Sequence, residues 1–136
     1  MKKLILFSAF ISLFLASCNN SQDTDTVSQS TYTGVFAGKY TDQSSTVNTP
    51  SQDCVVTVTE NANGSLNLEM VIGSTTSNLT AAVTSDNKLN FAEQSVFGTM
   101  LQGNGENVDS GKGLNLLFSK PGASATVTSA FTGRKQ

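Results

Sequence analysis

From Tyr32 onward, apolar and polar residues alternate in short stretches, and turn-forming residues break the alternation at intervals of roughly ten positions. A side-chain period of two belongs to a strand with one buried and one solvated face. No stretch of helical length carries apolar residues at i, i+3 and i+4, and Thr, Ser, Asn, Val and Gly dominate over good helix formers. The pattern predicts eight strands, over 32–41, 53–60, 65–73, 76–84, 88–93, 96–104, 111–119 and 123–133.

The breaks have mechanisms. Asn63-Gly64 and Asp86-Asn87 tolerate the positive φ of hairpin turns, and Pro121-Gly122 suits the two central positions of a type II turn. Asn48-Thr49-Pro50 marks a longer excursion, because Val47 is the only aliphatic residue in 42–52. Alternation also assigns an inward face. Its members are Tyr32, Phe36 and Tyr40; Val56 and Val58; Leu66, Leu68, Met70 and Ile72; Leu79, Ala81 and Val83; and Leu89 and Phe91. Leu114, Leu116 and Phe118 follow, then Ala125, Val127 and Phe131. Cys54 lies in phase with Val56 and Val58, which marks it as a small buried hydrophobe. Val96-Phe97 and Met100-Leu101 break the alternation, and a bulge near Gly98 is the expectation there.

Short links favour neighbouring antiparallel strands, hence an all-β, up-and-down, eight-stranded small barrel whose closure removes exposed edges. A barrel of this size is either filled by side chains or holds one small ligand. Leu and Phe crowd the inward set, with Ala81 and Ala125 its small members, so a packed interior is expected.

The first 31 residues are of another kind. Lys2 and Lys3 precede an apolar run from Leu4 to Ala16, broken only by Ser8 and Ser12. As a helix this run reaches roughly 20 Å, short of the ~30 Å hydrocarbon slab, so it reads as a secretory signal rather than a span. Leu15-Ala16-Ser17-Cys18 resembles a bacterial lipobox. That resemblance implies cleavage before Cys18, lipidation of its thiol, and a membrane partner reached through the acyl chains. Asn19-Asn20 in place of a sorting Asp implies delivery to the outer membrane. Asp23 and Asp25 loosely resemble the acidic tether signals of exported lipoproteins. Residues 19–31, polar apart from Val27, cannot bury enough surface to offset their ordering entropy and read as a flexible tether. The chain thus divides into a signal peptide at 1–17, a lipidated N-terminus and linker at 18–31, and a barrel domain at 32–136. With Cys18 lipidated, Cys54 is a free thiol. An ordinary secretory signal with an incidental cysteine would instead leave Cys18 open to a disulfide with Cys54.

Gly34-Val35-Phe36 on the first strand and Arg134 on the last resemble a degenerate calycin signature, in which a Gly-x-Trp is covered by a basic side chain near the closing strand. The closing Phe131-Thr132-Gly133-Arg134-Lys135 is similar to that of small lipocalin-like lipoproteins of Gram-negative bacteria. The resemblance implies a lipocalin-like barrel closed by Arg134 over Phe36, with a weaker cation–π contact than Trp would give. On the other reading, Gly34 and Gly38 relieve crowding on a curved strand.

Composition then narrows the chemistry. The formal charge is −2, and loss of Lys2 and Lys3 would leave six basic residues against ten acidic ones, or −4. No basic stripe exists to displace phosphate counterions, which argues against a nucleic-acid partner. The absence of histidine removes Ser-His-Asp and Cys-His machinery and imidazole metal sites. Glu69 alternates outward, Glu60 and Asp86 adjoin turns, and Glu106 and Asp109 share a loop, so no carboxylate pair is set up for catalysis. Gly105 to Gly113 superficially resembles a phosphate loop, but its spacing is one residue too long and no helix follows. Asn104, Glu106 and Asp109 match no calcium-loop spacing. Neither a catalytic residue, a metal site nor a cofactor is expected. The reading that remains is a lipid-anchored outer-membrane module, not an enzyme, that meets a protein or glycan through its exterior. Residues 42–52 and 103–112 would be its partner-facing loops. The alternative is a carrier of a small apolar ligand inside the barrel.

Overall fold

The computed structural model describes residues 31–43, 50–122 and 128–136. The signal segment, Cys18 and the linker up to residue 30 lie outside the described residues, as do Ala125 and Val127. No helix among the described residues is long and apolar enough to cross a membrane.

Eight antiparallel strands run in chain order: β1 (Gly34–Asp42), β2 (Gln52–Glu60), β3 (Leu66–Ile72), β4 (Thr75–Val83), β5 (Leu89–Val96), β6 (Thr99–Val108), β7 (Gly113–Ser119) and β8 (Ser129–Lys135). Each pairs with its sequence neighbours, and β8 returns to β1 to close the barrel. The up-and-down order follows from short connections, which leave a strand little choice but to pair with the one before it. Among the described residues, nineteen buried hydrophobic side chains fill the interior, including every described inward position except Ile72 and Val83, which pack partly buried against them. Cys54, Val96 and Leu101 join that core. Phe91 and Phe118 pack tilted at 5.4 Å between ring centres, an arrangement that contributes beyond its buried area.

Closure depends on two glycines. Gly38 of β1 lies opposite Gly133 of β8, and a Cβ at Gly38 would overlap the Thr132 carbonyl oxygen. The two backbones approach too closely for any side chain at that point.

Two hairpins depart from the expected turns in one shared way. In each, a three-residue loop ends on a left-handed residue, Gly64 (φ +80) between β2 and β3 and Asn87 (φ +56) between β4 and β5. Backbone bonds from Asn61 N to Ser65 O (2.8 Å) and from Thr84 N to Lys88 O (2.8 Å) close the two loops. Asn63 does not take positive φ; only the residue that reverses the chain direction needs it.

The largest departure concerns β5 and β6. The break at Phe97-Gly98 is a tight turn, not a bulge, with φ +48 and +85 at its two residues. The bulge falls earlier, where Ala92 and Glu93 together oppose Gln102. The expected break between strands at 94–95 reflects polar residues that interrupt the alternation. An extra residue in the strand produces the same interruption without ending it. The last strand runs over 129–135, two residues past its expected end at 133, and 123–127 of the expected strand lie outside the described residues.

Candidate functional site

The barrel has two unlike ends. At one end Tyr32 plugs the interior, fully buried, and its hydroxyl donates to the Asn87 carbonyl oxygen at 2.6 Å. Burial holds that hydroxyl's pKa above its ordinary value, against the backbone of Asn107, which favours the phenolate. Lys135 covers the same end, its Nζ 5.7 Å from the centre of the Phe36 ring. Gly34 makes this possible, since a Cβ there would collide with the Lys135 stem. The basic cover expected from Arg134 is therefore supplied by Lys135. Arg134 points outward and pairs with Asp109 at 3.1 Å, both side chains largely in solvent. Alternation explains the exchange: Lys135 lies opposite Phe36 in register, and Arg134 lies one residue out of phase.

The other end is the mouth. Tyr40, Asp42, Pro50, Gln52, Ile72 and Thr75 face Val96, Phe97, Thr99 and Leu101 across a cavity of about 190 Å³. Phe97 meets Tyr40 edge to face at 5.1 Å, which gives an aromatic residue reason to tolerate positive φ in a turn. Burial raises the Tyr40 pKa, and the nearby Ser129 hydroxyl opposes that shift. This cavity is smaller than the roughly 300 Å³ at which small-molecule pockets begin. It can admit an end group or a single side chain, not a whole apolar ligand. Below it the barrel is filled.

Of the expected partner-facing loop at 42–52, Asp42, Pro50 and Gln52 line the mouth cavity, and 44–49 lie outside the described residues. Residues 103–112 are mostly strand: β6 continues to Val108, and one 3-10 turn at Asp109–Gly111 leads into β7 at the plugged end. Gly105 to Gly113 is thus a strand, turn and strand with no phosphate-binding helix.

The carboxylates stay apart. Glu60, Glu69, Glu106 and Asp109 are exposed, and Glu106 stands opposite Asn115 on the outer face. Asp86 accepts from the Thr84 hydroxyl at 2.5 Å, and that bond holds its carboxyl below the usual range. Among the described residues no three His, Cys, Asp or Glu side chains cluster. Cys54 is 2 % exposed, and burial pushes its thiol up to about 11, which makes it a poor nucleophile at neutral pH.

Gln52, Thr75 and Thr99 at the mouth, and Lys135 at the plug, were not legible as site residues. Their roles come from position at strand ends rather than from any motif. Phe97-Gly98 between two alternating stretches was the one available signal, masked because Phe is an uncommon turn residue. No protein-family model matches this chain, and no curated protein or solved structure matches it.

Proposed function

We propose that this protein is a lipid-anchored outer-membrane module, without enzymatic activity, that recognises part of a larger protein or glycan at the barrel mouth. The observation that carries the reading is the polarity of the barrel. Thr31 enters and Gln136 leaves at the plugged end, and the cavity between Tyr40, Ile72, Val96 and Leu101 lies at the opposite end. A chain anchored at Cys18 would hold the plugged end toward the bilayer and present the mouth away from it. The lipobox-like Leu15-Ala16-Ser17-Cys18 and the polar linker support the anchor, and the filled interior favours recognition at the surface over carriage inside. The lipocalin-like character of the signature residues belongs to the same proposal.

Two measurements test it. Full-length chain made in a Gram-negative host should enter the detergent phase on cloud-point extraction, with the mass of a diacylglyceryl-modified Cys18, and Cys18→Ser should move it to the aqueous phase. Native mass spectrometry of the same material should show no bound passenger. A stoichiometric apolar passenger would favour the carrier reading, for which the Ile72, Val96 and Leu101 lining of the mouth is the supporting feature.

A further inference from the structure

Among the described residues, the tip of the β5–β6 hairpin, residues 94–101, makes no backbone ladder with β4 or β7. Toward β4, ladder pairing stops at Ala82–Asn90 and Val83–Leu89, leaving the remainder of β4 without a backbone partner in β5. Toward β7, β6 begins to pair only at Gln102, opposite Ser119. Between β4 and the tip, side chains replace the missing ladder. The Gln94 carboxamide accepts from Thr80 N at 2.8 Å and donates to Thr80 O at 2.9 Å, as a peptide group of a neighbouring strand would. The Ser77 hydroxyl donates to Ser95 O at 3.1 Å and accepts from Phe97 N at 3.2 Å. At the base of the tip lie the Ala92–Glu93 bulge on one strand and Gly103 on the other. Its underside, Val96, Phe97 and Leu101, forms one wall of the mouth cavity.

From this we infer that residues 94–101 are a lid over the mouth, hinged at the bulge and at Gly103 and latched by Gln94 and Ser77. With two polar clasps in place of a six-residue ladder, this segment is held to the barrel by those bonds and by the packing of Val96, Phe97 and Leu101, and it opens sub-globally before the fully paired strands do. Opening swings Val96 and Leu101 away from Tyr40 and Ile72, so the cavity widens without unfolding the rest of the barrel. The lid bears on the proposed recognition site but rests on the seam alone, so opening kinetics and partner binding can fail separately.

Thiol labelling tests the lid, with native Cys54 as internal reference because it is buried on β2 away from the seam. In full-length chain carrying Cys18→Ser and Val96→Cys, methyl methanethiosulfonate should reach the Val96→Cys thiol at least about tenfold faster than Cys54. Adding Gln94→Ala should quicken the Val96→Cys thiol by a further factor of about five to ten, the loss of one bidentate clasp, and leave Cys54 unchanged. Gln94→Glu, which can accept from Thr80 N but not donate to Thr80 O, should fall between. The same series in Leu68→Cys, on the paired β3, controls for general loosening. Equal rates at the Val96→Cys thiol and Cys54 would overturn the lid, since both would then be exposed only by global unfolding. So would a Gln94→Ala effect that speeds all three thiols alike.

Discussion

Arg134 and Lys135 are adjacent, equally charged and unequal in effect, because the pleat points one at Asp109 and bends the other over Phe36. Replacing Lys135 with Met keeps the aliphatic stem over the ring and removes the charge, with an expected loss of about 0.5–1 kcal/mol. Arg134→Ala should cost about 0–0.5 kcal/mol, as exposed pairs do. Urea denaturation measures both, and a larger loss for Arg134→Ala would return the closing role to it. Cys54 shows what burial does to a titrating group. Its thiol is raised from 9.0 to about 11, so the native state keeps a proton that the unfolded chain gives up. That contribution is full below pH 9 and is lost as pH rises through 11, a total of about 2–3 kcal/mol. Tyr32 and Tyr40, both raised from 10.0 by burial, act with the same sign above pH 10. Stability measured from pH 8 to 11 should therefore fall less steeply in Cys54→Ala than in the native chain. Legibility at this scale was uneven. The buried place of Cys54 follows from local alternation, whereas Lys135 over Phe36 needs the first and last strands to be in register.

Strands were the most legible elements, because a period of two over seven to ten residues survives one exception. Their ends were less so. The sequence ends a strand at 93 and places a bulge near Gly98, whereas the strand continues to Val96 and the turn is at Phe97-Gly98, since a bulge and a turn both break the alternation and only pairing to β6 separates them. Glycines carry the closure at this scale. Gly133→Ala and Gly38→Ala each place a methyl group where the sheet has no room, and each should cost about 1–3 kcal/mol or more. Gly98→Ala meets open space and pays only for its positive φ, about 1 kcal/mol. Thermal melts of the three variants check the order. A Gly98→Ala loss equal to that of Gly38→Ala would show that strain, not crowding, governs both.

For the molecule as a whole, the plugged end and the filled interior decide what the barrel can do. Phe118→Ala should cost about 3–5 kcal/mol, because the hole it leaves is lined by rings and aliphatic groups that cannot collapse to fill it. If that variant gains stoichiometric binding of a small apolar dye such as N-phenyl-1-naphthylamine and the native chain shows none, side-chain volume is what excludes ligands from the interior. By itself the sequence determined the all-strand class, the eight-strand order, nearly all of the inward face and the absence of histidine chemistry. Each of these depends on local periodicity or on counting residue types. Only the tertiary structure decided which basic residue closes the barrel, where the bulge lies, that 103–112 is mostly strand, and that side-chain bonds from Gln94 and Ser77 join the β5–β6 tip to β4. Those features arise from register between distant strands, and a one-dimensional pattern carries no record of which residues will face each other across a closed sheet.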